Sequence, residues 1–214
     1  MVNLAVITGG KAHDVIGFNK LFRSFEGINS YIQHLDDFAA SPEQVRNNYD
    51  AVLFFFMMQE GPYDDDLPAY CGRPKAAIER LCQTDQGIII LHHALLAYPQ
   101  WTVWDELVGI ADRHLASYRH DEKLNIKVEH PRHPITEGIS DWIMIDETYW
   151  MANAESDNRI LLKTDHQESM ETIAWVHEYK RSRVFCLQSG HDHQTWENEN
   201  FNAILERGIK WSCP

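Results

Sequence analysis

A chain of 214 residues with 44% hydrophobic and 24% charged residues has the make-up of an ordinary globular domain, long enough to bury a substantial core as a single unit over residues 1–214. Its net charge of −13 repels phosphate and anionic lipid, which excludes nucleic acid and membrane surfaces as expected partners and favours a small neutral ligand. Met1 to Leu4 lacks a basic leader, Ala51 to Met58 is too short an apolar run to cross a bilayer, and the four cysteines form no CxxC pair; together these predict a cytoplasmic protein with free thiols.

In chain order, Leu4 to Thr8 reads as a strand closed by Gly9-Gly10, and Ile16, Leu21, Phe22 and Phe25 mark an amphipathic helix. Gly9-Gly10-Lys11 lacks the spacing of a phosphate loop. Asn29 to Leu35 is a second strand, Pro42 opens a short helix, and Ala51 to Met57 is a buried third strand. Gln59 to Arg73 is a polar loop whose Asp64-Asp65-Asp66 run lacks the calcium-loop pattern and reads as a solvated turn. Pro74 begins a helix with Ala77, Ile78, Leu81 and Cys82 inward.

Gly87 to Leu91 is a continuous apolar run, the expected central strand of a parallel sheet, and it breaks into His92-His93 before an apolar pattern resumes. Trp101, Trp104, Leu107 and Val108 then recur at helical spacing, and Ala111 to His120 reads as a loop. Leu124 to Glu129 alternates like an edge strand, and Trp142 to Ile145 is a short strand entering Asp146-Glu147. Arg159 to Lys163, Thr172 to Tyr179 and Arg183 to Gln188 complete the strands, and a last helix carries Phe201, Ile204, Leu205, Ile209 and Trp211 on one face. Alternating strands and helices followed by a strand-rich half predict an α/β fold, a mainly parallel sheet flanked by helices with an added antiparallel portion.

Ligands in open α/β sheets bind beyond the carboxyl ends of strands, where this chain places His13-Asp14, His92-His93, Asp146-Glu147 and His191-Asp192-His193. Histidine beside carboxylate supports two chemistries, a general base with its orienting acid or a site for zinc or another divalent ion. The candidate catalytic residues are His92, His93, Asp146, Glu147, His191 and Asp192, and the candidate metal ligands are His13, His92, His191 and Asp192. His114, His120, His130 and His177 are expected outside the site.

These segments carry a resemblance. Gly9-Gly10 with His13-Asp14, Gly87 to Ala94, His133-Pro134-Ile135-Thr136, Asp146-Glu147-Thr148-Tyr149, Ala174-Trp175, Arg183-Val184-Phe185, Gly190-His191-Asp192 and Arg207 to Trp211 follow in the order seen in the ThuA-like family, named for trehalose utilisation. That resemblance implies a flavodoxin-like fold of the class I glutamine amidotransferase type. Amidotransferases carry a nucleophilic cysteine on the elbow after the central strand; this chain has His92 there, so no glutamyl thioester can form and glutaminase activity is not expected.

Two readings follow. One is an enzyme acting on a disaccharide or its keto derivative by histidine and carboxylate acid-base chemistry; the other is a non-catalytic sugar-binding or regulatory protein. A sugar site needs an aromatic platform, and His13, Trp101, Tyr149, Trp150 and Trp196 are the expected substrate-binding residues, with at least one of the three tryptophans facing the ligand. The sequence leaves a homo-oligomer open.

Overall fold

The computed structural model describes residues 1–65 and 67–214. Nine strands form one mixed sheet in the order β2-β1-β3-β4-β9-β8-β7-β5-β6. In chain order the elements are β1 (Val2–Gly9), α1 (Val15–Arg23), β2 (Ile28–His34), α2 (Leu35–Ala40), α3 (Glu43–Arg46), β3 (Ala51–Phe56), α4 (Pro74–Leu81), β4 (Gly87–Leu91) and α5 (Thr102–Val108). They continue with β5 (Ser117–Val128), β6 (Trp142–Trp150), β7 (Arg159–Thr164), β8 (Thr172–Tyr179), β9 (Ser182–Leu187), α6 (His193–Trp196) and α7 (Glu199–Ser212). β2, β1, β3, β4 and β9 run parallel, while β8, β7, β5 and β6 are joined antiparallel.

Two-residue alternation splits the parallel strands between two apolar layers. Leu4, Val6, Leu53, Phe55, Ile89 and Leu91 meet α1 and α7 on one face; Ala5, Ile7, Val52, Phe54, Ile88 and Ile90 meet α2, α4 and α5 on the other. Because both faces are covered, β3 and β4 are buried at every position, which is why they read as unbroken apolar runs. Trp104 and Trp175 lie wholly inside, each indole N–H donating to a backbone carbonyl, Ala94 O at 2.8 Å and Val108 O at 2.7 Å.

Local boundaries differ from expectation where tertiary pairing overrides pattern. Ile16 is 70% exposed on α1, its expected inward place taken by Phe18. Ser117 to His120 belongs to β5 rather than to a loop, because it pairs with the far half of β6. β5 is not an edge strand: it lies between β7 and β6, and β6 forms the edge. β6 also runs on through Asp146 to Trp150, so the acidic pair is inside a strand instead of beyond one. α2 was not anticipated. Trp211 is only half-buried, lying under the Arg183 guanidinium at 5.7 Å. Of the acidic run, Asp66 lies outside the described residues, while Asp64 accepts hydrogen bonds from Lys75 N and Ala76 N at the start of α4.

Candidate active site

The site begins at the end of β4. His92 follows Leu91 with φ of 50°, a left-handed conformation disfavoured for a branched or bulky side chain, and it turns the chain sharply out of the sheet. Its ring is fully buried, and Nδ1 lies 2.6 Å from Gln188 O at the end of the neighbouring β9. A carbonyl only accepts, so Nδ1 carries the proton and Nε2 presents a lone pair. Around that Nε2 gather the Tyr149 hydroxyl at 3.0 Å, Glu147 Oε2 at 3.1 Å and His191 Nδ1 at 3.1 Å.

Glu147 and Tyr149 are two residues apart on β6 and share one of its faces. For them to reach the end of β4 the antiparallel end of the sheet must curl over the ends of the parallel strands; Gln188 Nε2 donating to Glu147 O at 2.9 Å ties the two parts together. Glu147 Oε2 also receives His191 Nδ1 at 3.2 Å, and Oε1 receives His120 Nδ1 at 3.1 Å. Burial alone would raise the Glu147 carboxyl, but the hydrogen bond from His191 and the adjoining imidazoles outweigh it and hold the group well below the usual carboxylate range. The hydrogen bond to Glu147 raises the His191 pKa, which favours its protonated form beside the carboxylate. Burial pushes the Tyr149 phenol well up.

His93 packs edge-on to His92 with ring centroids 4.1 Å apart, and Lys11 Nζ donates to its Nε2 at 2.5 Å. Burial, then the neighbouring His92 and Lys11, push the His93 pKa far down, which keeps this imidazole neutral. Lys11 reaches the site because Gly9 and Gly10 turn tightly after β1; a Cβ on Gly10 would lie 2.5 Å from Met57 O.

Five of the anticipated residues therefore converge: His92, His93, Glu147, His191 and Tyr149. The others take different places. Both Asp146 oxygens are engaged by backbone N–H groups, Glu147 N at 2.8 Å, Gly190 N at 2.8 Å and His191 N at 3.0 Å, so it anchors the loop carrying His191. Asp192 caps α6 through Gln194 N. The His13 ring lies edge-on to Phe18 and Phe55, one aromatic ring removed from His93. His13 and Asp192 are outside the donor cluster, their places in the expected metal set taken by His93 and Glu147. Trp196 is buried with its N–H on Gly190 O, Trp101 stacks on Trp104, and Trp150 alone of the three is substantially exposed, at 49%.

Sequence reasoning missed Lys11, Gln188 and His120. His120 was expected outside, yet its ring lies 4.9 Å from that of His191. The cause is a β-bulge: register shifts between Arg119 and Glu122, so His120 and Asp121 together oppose Glu147, and Asp121 has φ of 58°. The available signal was the polar His120-Asp121-Glu122 run ahead of a regular alternation. The centre is nearly closed: His92, His93, Glu147 and Tyr149 are at most 3% exposed, and it meets solvent past His191, His120 and Lys11. An open cleft of about 1010 Å³ beside Asp105, Asp157 and Tyr179 shares no residue with it.

Several solved structures share the overall shape. A ThuA-like protein from Parabacteroides merdae superposes with a TM-score of 0.72 at 16% identity, over 99% of this chain and 89% of that one. A cytoplasmic protein from Salmonella typhimurium gives 0.70 at 12% identity, over 100% and 99%. PurLQS of Thermotoga maritima gives 0.61 at 12% identity, over 99% of each chain. These likenesses establish an amidotransferase-like α/β fold. Comparison with curated proteins gave no match. No helix among the described residues is long and apolar enough to cross a membrane. A family model described as trehalose utilisation matches residues 19–212, and the chain belongs to that family, ThuA.

Proposed function

We propose that this ThuA-family protein is an enzyme acting on a disaccharide or its keto derivative, with the proton transfers made by the histidines and carboxylate beyond β4. The observation that carries the reading is the convergence of His92, His191, Glu147 and the Tyr149 hydroxyl within 3.2 Å contacts at the end of the central strand, where ligands of open α/β sheets bind. A keto-sugar has acidic C–H bonds beside its carbonyl. Removal of one such proton by a cluster base sends the C–H electron pair to the carbonyl oxygen, where Tyr149 or Lys11 can donate a hydrogen bond. The enediolate then regains a proton at carbon, giving an isomer, or expels a glycosidic oxygen from the next carbon, which leaves with a proton.

Glutamine hydrolysis is outside the proposal. The elbow bears an imidazole, Cys186 is buried within β9 with its thiol pushed well up by burial, and no cysteine belongs to the donor cluster. A cytoplasmic location is supported by four unpaired cysteines and by the Salmonella relative described as cytoplasmic.

The test is proton NMR in deuterated water with a disaccharide and its keto form. Deuterium entering beside the carbonyl, or appearance of an isomer or free sugar, is expected, and His92→Ala should abolish it while weakening binding less. Saturable quenching of tryptophan fluorescence with no exchange would instead identify the non-catalytic sugar binder.

A further inference from the structure

We infer that the centre is a divalent-metal site of the zinc type, with His92 Nε2, Glu147 Oε2 and His191 Nδ1 as ligands. Its participation in turnover rests on the function proposed above; its existence does not.

The first argument is the balance of donors and acceptors. Gln188 O fixes the proton of His92 on Nδ1, so the Nε2 lone pair faces the Glu147 carboxylate at 3.1 Å with no hydrogen of its own between them. Two hydrogens point inward, the Tyr149 O–H at 3.0 Å from Nε2 and the one N–H of His191, at 3.1 Å from Nε2 and 3.2 Å from the carboxylate, and neither comes from the facing pair itself. Buried acceptors facing one another are costly unless a cation lies among them.

The second argument is geometric. The three atoms form a triangle with edges of 3.1, 3.1 and 3.2 Å. Ligands about 2.0–2.1 Å from a tetrahedral zinc ion lie roughly 3.3 Å apart, so a few tenths of an ångström of movement turns the triangle into one face of such a site. The outer contacts also match. A ligating histidine typically donates its other ring N–H to a carbonyl or carboxylate, as His92 does to Gln188 O at 2.6 Å, and the free oxygen of a ligating carboxylate is held by a further donor, here His120 at 3.1 Å.

His93 is the fourth group in reach, all four donor atoms lying within 4.8 Å of one another. Lys11 already occupies its Nε2. Three ligands with a fourth position open is the pattern of a catalytic zinc rather than a structural one, and the open position suits a carbonyl or hydroxyl oxygen of a sugar.

The test uses untagged full-length protein stripped with chelator and titrated with cobalt(II), read by visible absorption and by elemental analysis after zinc loading. One equivalent per chain with the intense bands of four-coordinate cobalt is expected. Glu147→Gln and His191→Ala should each weaken binding by at least ~100-fold, while His114→Ala and His130→Ala, at exposed imidazoles, leave it unchanged. His191 is 21% exposed, so its truncation leaves a folded protein for the measurement even if the buried Glu147 variant does not fold. Sub-stoichiometric binding by wild type, or equal binding by His191→Ala, overturns the site. Sugar turnover that persists in metal-free protein would overturn only the ion's part in catalysis, and a metal-loaded protein inert toward sugars only the function.

Discussion

Asp146→Asn removes one charge and one hydrogen-bond acceptor at a place where the geometry makes the loss calculable. The carboxylate is 3% exposed and receives three backbone N–H groups: Oδ1 those of Glu147 and His191, Oδ2 that of Gly190. Asparagine keeps an oxygen for the first two but sets an NH2 against Gly190 N–H, a donor facing a donor. Leaving that buried N–H unpaired and losing one charge-assisted bond costs about 2–4 kcal/mol. Rotating the amide merely changes which N–H groups are orphaned. For a chain of this length the cost corresponds to a fall in Tm of roughly 5–15 °C. Thermal and urea unfolding measure it, and hydrogen exchange locates it, since Gly190 and His191 amides should exchange faster while those of β3 and β4 do not. Gly190, with φ of 128°, packs so closely on Leu91 that an added Cβ would lie 3.2 Å from its side chain. An Asp146→Asn protein melting with wild type, its Gly190 amide equally protected, would refute the view that this carboxylate positions His191.

Three further outcomes are expected. Burial lowers the pKa values of His177 and His133 below the ordinary 6.5, against the pull of Asp157 on His177; the unfolded chain then binds more protons below about pH 6.5, and Tm should fall as pH drops from about 7.5 to about 5.5. His191, raised by Glu147, acts in the opposite sense, and His177→Leu should flatten the slope because it removes one of the two imidazoles whose protonation burial opposes; an unchanged slope would count against this account. Arg113 donates from within the protein to Leu95 O, Ala97 O and Tyr98 O and pairs with Asp105, so Arg113→Ala should cost about 3–5 kcal/mol in urea unfolding and disorder the segment after the elbow. Gly208→Ala would set a Cβ 2.1 Å from the Phe185 ring, and a loss of about 1–3 kcal/mol or more is expected from overpacking; a variant as stable as wild type would show that α7 can lift from the sheet.

What the sequence by itself determined are the features governed by local pattern and burial. Ala51 to Phe56 and Gly87 to Leu91 are legible because strands covered on both faces can hold no polar residue, and the break at His92-His93 is legible because polarity returns only where a strand leaves the core. Five residues of the centre were recognisable from their position next to such breaks or to the acidic pair. Tertiary structure alone decided the rest. Glu147 reaches His92 from the edge strand β6, five places from β4 in the sheet and across 55 residues of sequence, through a curl that no local pattern encodes. His120 enters through a bulge, where one extra residue shifts which side chain faces the site. Lys11 enters through the length of a side chain swinging from a glycine turn. Asp146 and Glu147 are adjacent and chemically alike, yet backbone N–H groups claim one and imidazoles the other. Composition cannot separate such a pair, because the difference lies in which way each side chain points from a strand and what the rest of the chain has brought to that side.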